Sequence, residues 1–339
     1  ASGCLMFDDE PLKLVLDELV ADAGVTLVLH ATLYDAETAD GRVTAALLAH
    51  NGGPIRAAGT VFIDATGDAL LAAQAGAQVM FGDDLGTVMP MTLFFVVAGV
   101  DSQRMPAHAE LKKLCANGAQ DTPALINTNH SCHHAGPSGC FYINAIRVPG
   151  NTLDPFDLTK AEQEGRRRVE NLVAWLRARV PGCERAWLVK TAAHVGIRES
   201  RRIRGDYIVT GADFERAATF DDAIACCGYP VDIHGQQQGK TTMHGLPPGG
   251  YYHIPYRALT PAGFTNLLMA SRSISCDSVA HSSLRVMPPV TNIGEAAGFA
   301  AALSLPHGDV RAIAVTTLQS CIRAAGGLLE PSVFTPDTC

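Results

Sequence analysis

Four arginines, Arg198, Arg201, Arg202 and Arg204, fall within seven residues. A guanidinium grips a carboxylate through two parallel N–H donors, so such a run can hold a carboxylate-bearing or otherwise oxygen-rich molecule. Alternation along a strand puts Arg198, Arg202 and Arg204 on one face and Arg201 on the other, and Arg257 and Arg285 extend the set. The plainer reading is a solvated basic strand. His253 and His281 have the chemistry to take or give a proton, although a histidine is more often a hydrogen-bonded structural residue. His281, four residues before Arg285, is the better placed of the pair.

Other candidate clusters point to less. The run His130-Ser-Cys132-His133-His134 with Cys140 carries imidazole and thiolate, both zinc ligands. Adjacent ligands seldom converge on one tetrahedral ion and no second pair has the usual spacing, so no metal is expected. Cys226 and Cys227 are adjacent and would form a strained bridge, which favours two free thiols. Ser200 and Ser278 lack a Gly-x-Ser-x-Gly setting, so serine hydrolase chemistry has little support.

The elements around these residues read as an α/β fold. Asp8-Asp9-Glu10-Pro11 starts a helix whose Leu12, Val15, Leu16, Leu19 and Val20 share one face, and Gly24 ends it. The run Val25 to Leu29 predicts a strand buried on both faces. Residues 32–55 alternate, with turn signals at Asp40-Gly41 and Asn51-Gly52-Gly53, and predict a hairpin or short meander. Gly59 to Asp64 is a further apolar strand running into Ala65-Thr66-Gly67-Asp68 and a small-residue helix to Ala75. That order is the back half of a nucleotide-binding α/β unit, yet no G-x-G-x-x-G turn follows any strand.

From Phe81 to Tyr256 the texture becomes α+β, with apolar runs at 91–100, 141–148, 187–192 and 206–210. One helix interrupts them, read from a capping box of Thr159 with Glu162 and stopped by Pro181-Gly182. The α/β texture returns with a short strand at 266–270, an Ala- and Gly-rich helix from Asn292 to Ser304, and a tail holding a helix over 310–324. The expected divisions are therefore 1–80 and 257–305 for a split nucleotide-binding domain, 81–256 for an inserted substrate domain, and 306–339 for the tail.

Composition bounds the partners. The 339 residues hold 26 Lys and Arg against 34 Asp and Glu, a net charge of −8, with 47% apolar residues. Length and apolar content support a large core and about two domains. The acidic balance argues against nucleic acid, whose phosphates demand positive charge. The longest apolar stretch, Val88 to Val100, is too short for a bilayer and is broken by Pro90 and Thr92, so no membrane is expected. Residues 1–5 do not read as a secretory leader, and the ten cysteines are expected reduced, in a cytoplasmic protein.

Several stretches, taken in order, resemble the FAD-dependent oxidoreductase family: residues 9–19, Val61 to Asp68, Met89-Pro-Met-Thr92, Gly196 to Arg202, Leu246 to Gly250 with Ile254-Pro-Tyr-Arg257, and 266–302. The resemblance implies a glutathione-reductase-like FAD domain, distantly akin to fumarate reductase flavoproteins and to the flavoprotein subunit of heterodisulfide reductase. It implies FAD contacts at Leu33, Ala65, Thr66, Gly67, Asp68, Ser271, Arg272, Pro288, Gly294, Ala296 and Ala297. Where the family usually shows Ala-Gly-Arg, this chain has Ala270-Ser271-Arg272. The Arg285-Val-Met-Pro lead-in to the Gly294 helix would bring a helix N-terminus, with roughly half a positive charge, to the flavin edge that gains negative charge on reduction.

The expected chemistry is hydride transfer between flavin N5 and a small polar, carboxylate-bearing substrate, with Arg198, Arg257 and Arg285 orienting it and His281 or His253 handling the proton. The alternative is a non-catalytic subunit or ligand-binding module that keeps the fold without flavin. The family's glycine-rich strand and turn would precede residue 1, so a second chain or fragment is expected to supply it.

Overall fold

In the computed structural model, which describes residues 7–118, 131–134, 140–235 and 241–330, the chain opens with helix α1, Asp9–Asp22, ended where Gly24 takes φ +65°. The strand expected at 25–29 does not form. An apolar run becomes a strand only when neighbours take up its backbone groups, and the described residues offer none there. Strands β1 (Thr32–Ala39), β2 (Arg42–Ala49) and β3 (Ile55–Ala58) then make the expected antiparallel meander. Its first turn is the two-residue Asp40-Gly41, both at positive φ, the geometry whose twist suits a tight hairpin.

Strand β4 (Phe62–Asp64) runs into helix α2 (Leu70–Gln74), followed by β5 (Val79–Phe81). Next come β6 (Met91–Ala98), α3 (His108–Gly118), β7 (Ser131–His134), β8 (Phe141–Val148), α4 (Pro155–Arg179) and β9 (Trp187–Thr191). They form an antiparallel sheet of order β7-β8-β6-β9 with α4 packed on it. Helix α4 starts earlier than Thr159. Asp154 accepts from the N–H groups of Phe156 and Asp157, and Pro155 sits in the first turn, a stronger start than a threonine cap. Thr159 turns its hydroxyl back to the Pro155 carbonyl.

The remaining elements are β10 (Arg201–Ile203), α5 (Gly211–Glu215), β11 (Ala223–Cys227), β12 (Val231–His234), β13 (Thr241–His244), β14 (Tyr252–Pro255), a 3-10 turn at Tyr256–Ala258, β15 (Leu267–Met269), α6 (Ser278–Leu284), α7 (Met287–Ser304) and α8 (Val315–Ala324). β10 pairs antiparallel with β5 and β11 with β14, while β15 runs parallel to β4 with Met269 opposite Asp64. Residues 206–210, expected as a strand, contribute only a bridge from Val209 to Cys276.

Two compact units result. One comprises residues 1–29, 89–198 and 234–240, the other 30–88, 199–233 and 241–339. The first has its core in Met91, Leu93, Phe95, Ile146, Leu172 and Leu176. The second has its core in Ile224, Tyr252, Ile254, Leu267, Leu268 and the inner face of α7. Residues 199–233 and 241–256, expected in the inserted domain, thus join the unit that holds β15 and α7, because β11 and β14 share their core with them. Residues 1–29 move the other way: α1 is tied to the antiparallel sheet, Asp9 accepting from Tyr142 and Lys190. Among the described residues no helix is long and apolar enough to cross a membrane.

Candidate functional site

The carboxyl ends of the parallel pair β4 and β15 gather most of the expected cofactor residues. Asp64, fully buried, accepts from the N–H groups of Thr66 (2.9 Å) and Ala72 (3.0 Å), and so folds the strand-to-helix turn back on itself. The Thr66 hydroxyl accepts from Leu70 N–H. Gly67 sits at φ +80°, and a Cβ there would lie 2.8 Å from an Arg272 guanidinium nitrogen, so only glycine lets the two segments meet. Arg272 donates to Asp68 at 2.7 Å, and Ser200 bonds the same carboxylate oxygen.

From the β15 side, the Ser271 and Ser273 hydroxyls lie 2.6 Å apart, both buried. His281 of α6 packs behind them with Nδ1 3.1 Å from the Arg272 carbonyl. A carbonyl only accepts, so Nδ1 carries the hydrogen and fixes the backbone of the arginine that faces Asp68. Nearby, burial pushes the Cys276 thiol up to about 12, which keeps it protonated and unreactive.

Helix α7 closes the junction. Pro288 and Pro289 begin it, no acidic side chain occupies its first turn, and Ile293, Ala296, Ala297 and Ala300 bury against the second unit's core. The stretches around Thr66 and Gly294 are therefore brought to the same parallel pair. Ala296 and Ala297 face the core rather than an opening, whereas a Cβ at Gly294 or Gly298 would enter open space. Leu33 of β1 packs half-buried on the same core, and Ala65, Thr66 and Pro288 are exposed.

The expected catalytic set is dispersed. Arg285, the C-cap of α6, donates to the backbone and carboxylate of Asp232; burial lowers its pKa and Asp232 opposes that. Arg257 is half-exposed, bound to Asp222 and lying 5.2 Å over the Tyr207 ring. Arg198 belongs to the other unit and donates to the Pro90 carbonyl. Arg202 is wholly buried between Glu199, the Gly82 carbonyl and the Cys276 carbonyl, while Arg204 is exposed. The single arginine face expected from alternation is absent, because β10 is only three residues long.

His253 lies on β14, next to Tyr252, whose hydroxyl reaches Ser283 of α6. Alternation turns His253 to the other face of that strand, away from α6. Cys226 and Cys227 are free thiols. His130 lies outside the described residues, and of Ser131 to His134 only the strand is described. Side chains not selected from the sequence also join the site: Ser200 on Asp68, Ser273 on Ser271, and Asp232 on Arg285. Ser200 and Asp68 are 132 residues apart, so no local pattern links them.

Two observations make the junction fit a dinucleotide cofactor. Arg272 Nε is buried with no hydrogen-bond partner among the described residues, and Gly67 lets the Arg272 guanidinium reach the turn that carries Asp68. Buried donors left unpaired are rare without a ligand or water to receive them.

A family model described as FAD dependent oxidoreductase matches residues 1–322. No curated protein matches the chain. Among solved structures, similarity is found to a geranylgeranyl bacteriochlorophyll reductase-like protein from Thermoplasma acidophilum, at 11% identity and TM-score 0.47, covering 93% of this chain and 59% of that one. The flavin-dependent brominase Bmp2 matches at 12% identity and TM-score 0.43, covering 93% and 60%. L-proline dehydrogenase from P. horikoshii matches at 10% and TM-score 0.34, covering 94% and 60%. The chain thus spans about three-fifths of the length of these proteins. On the family match, which spans nearly the whole chain and agrees with the junction of β4, β15 and α7, this chain belongs to the FAD-dependent oxidoreductase family and its cofactor is FAD.

Proposed function

We propose that the chain is the larger part of an enzyme that oxidises or reduces a small polar, carboxylate-bearing molecule, with FAD held where β4 and β15 end. The observation that carries this reading is the Asp68–Arg272 pair packed on Gly67, with Arg272 Nε left unpaired. Bound FAD supplies a two-electron acceptor that takes or returns a hydride at N5. Arg272, Ser271, Thr66 and the Gly67–Asp68 backbone would hold the cofactor's polar groups. The N-terminus of α7 would place positive potential at the cofactor, because no acidic residue in its first turn cancels the helix dipole.

Arg285 is the arginine that best suits a substrate carboxylate. Its Nε is buried and unpartnered, while Asp232 holds only the outer nitrogen. His281 acts through Arg272, by fixing its carbonyl, and is a positioning residue. The split FAD domain and the inserted domain belong to the same reading.

The test is direct. The protein incubated with FAD and freed of excess should retain a yellow chromophore, and Arg272→Met should weaken retention at least tenfold while leaving far-ultraviolet circular dichroism unchanged. Equal retention by the variant would refute this placement of the cofactor.

A further inference from the structure

A cavity of about 530 Å³ lies within the unit that holds β15 and α7, between the β11–β14 ribbon and α8. Its walls include His253 and Tyr251 of the ribbon side, Arg323 of α8, Thr219 and Asp221 of the intervening loop, and Glu330. His253 is 92% buried, since only 8% of its surface is exposed. Its Nδ1 accepts the backbone N–H of Phe220 at 3.2 Å, so in the neutral ring the hydrogen must sit on Nε2. That Nε2–H is buried and has no partner among the described residues. A buried donor left unsatisfied on a residue that lines a cavity calls for an acceptor reaching it from that side.

The charges around that donor narrow the acceptor. Arg323, Asp221 and Glu330 form no ion pair among the described residues, so the cavity presents one guanidinium and two carboxylates that are not neutralised. Two carboxylates disfavour a doubly charged phosphate. They suit a ligand whose own carboxylate meets His253 and Arg323 while an amine meets Asp221 or Glu330. Phe220, Ala223 and Leu329 supply an apolar wall for the rest of such a molecule. Because His253 and Tyr252 face opposite sides of β14, this cavity is separate from the Arg272 and Arg285 junction.

We propose that this cavity is a second ligand site, for a small amino acid or a similar compound bearing one carboxylate and one amine, held by His253 Nε2–H and Arg323. It does not depend on the flavin assignment. The test titrates the full chain, carrying ¹⁵N-labelled histidine, with L-leucine, 4-methylpentanoate (the same body without the amine) and inorganic phosphate. L-leucine is expected to shift the His253 Nε2 resonance saturably, with 4-methylpentanoate at least tenfold weaker and phosphate without effect.

Arg323→Met, at an exposed position of α8, should weaken L-leucine at least tenfold. In thermal-shift titrations His253→Gln, whose amide can replace Nε2–H, should keep binding that His253→Leu loses. No shift with any probe would mean water alone fills the cavity and would overturn the proposal. So would wild-type affinity in Arg323→Met, a preference for phosphate, or equal binding of 4-methylpentanoate. None of these readouts involves flavin, so they fail or succeed apart from FAD retention.

Discussion

At the scale of single residues, the site turns on glycines that do different work. Gly67 holds φ +80° against the Arg272 guanidinium, so Gly67→Ala combines a disfavoured backbone with a collision. The cost is expected at about 1–3 kcal/mol in chemical denaturation, with a matching loss of FAD affinity. Gly294 is the opposite case: a Cβ there meets nothing in the protein. Gly294→Ala should raise stability by about 0.5–1 kcal/mol, as alanine does inside a helix, yet weaken FAD in fluorescence-quenching titrations. Unchanged FAD affinity would show that the cofactor does not approach that face of α7. The sequence marked both glycines, but it could not mark Ser200 or Asp232, which reach Asp68 and Arg285 only through tertiary packing. It also grouped His253 with His281, which the two faces of β14 keep apart.

At the scale of elements, α1 shows how a helix can be legible while its packing is not. Its start, length and glycine stop follow from the sequence, but no residue on it is buried. What fastens it is polar: Lys190 and Tyr142 both donate to Asp9, at 2.6 and 2.8 Å. The Lys190 bond, followed by the Tyr142 bond, holds the Asp9 carboxyl below its ordinary value. Such a group contributes above the carboxyl's unfolded pKa, about 4, and its contribution is lost as pH falls through the lower folded value. Burial first, then Asp9, pushes the Tyr142 phenol up to about 12. That contribution is complete below the unfolded phenol's pKa of about 10 and is lost as pH rises through the folded one.

Hydrogen-exchange protection of α1 should therefore be flat between about pH 4 and 10 and fall on either side. Lys190→Met should abolish that protection near neutrality without altering exchange in α4. The strand expected at 25–29 failed for a related reason, since apolar composition states a need for neighbours without providing them. β4 and β15 were each legible as short apolar runs followed by small residues, whereas their parallel pairing was not, since no local pattern links strands some 200 residues apart.

At the scale of the whole molecule, the chain divides into two compact units, each with its own core. Texture assigned 199–256 to the middle of the chain, but which core a strand joins is decided by the partners it meets, and β11 and β14 meet α7 and β15. Truncating a core residue should accordingly act locally. Leu172→Ala, at the α4 face of the antiparallel unit, is expected to cost about 2–5 kcal/mol. Exchange protection should fall across β6 and β8, while Arg272-dependent FAD retention persists at low temperature.

The outward leucines of α1 have a consequence for how the protein behaves at high concentration. Leu14, Leu16 and Leu19 are more than half exposed, and Val25, Leu27, Val28 and Leu29 of the segment that follows are exposed as well. Water around such apolar surface is released whenever two copies of it touch, an effect that salting-out ions strengthen. Light scattering should thus rise steeply with sulfate, and Leu16→Glu with Leu19→Lys should flatten that rise without dimming the flavin.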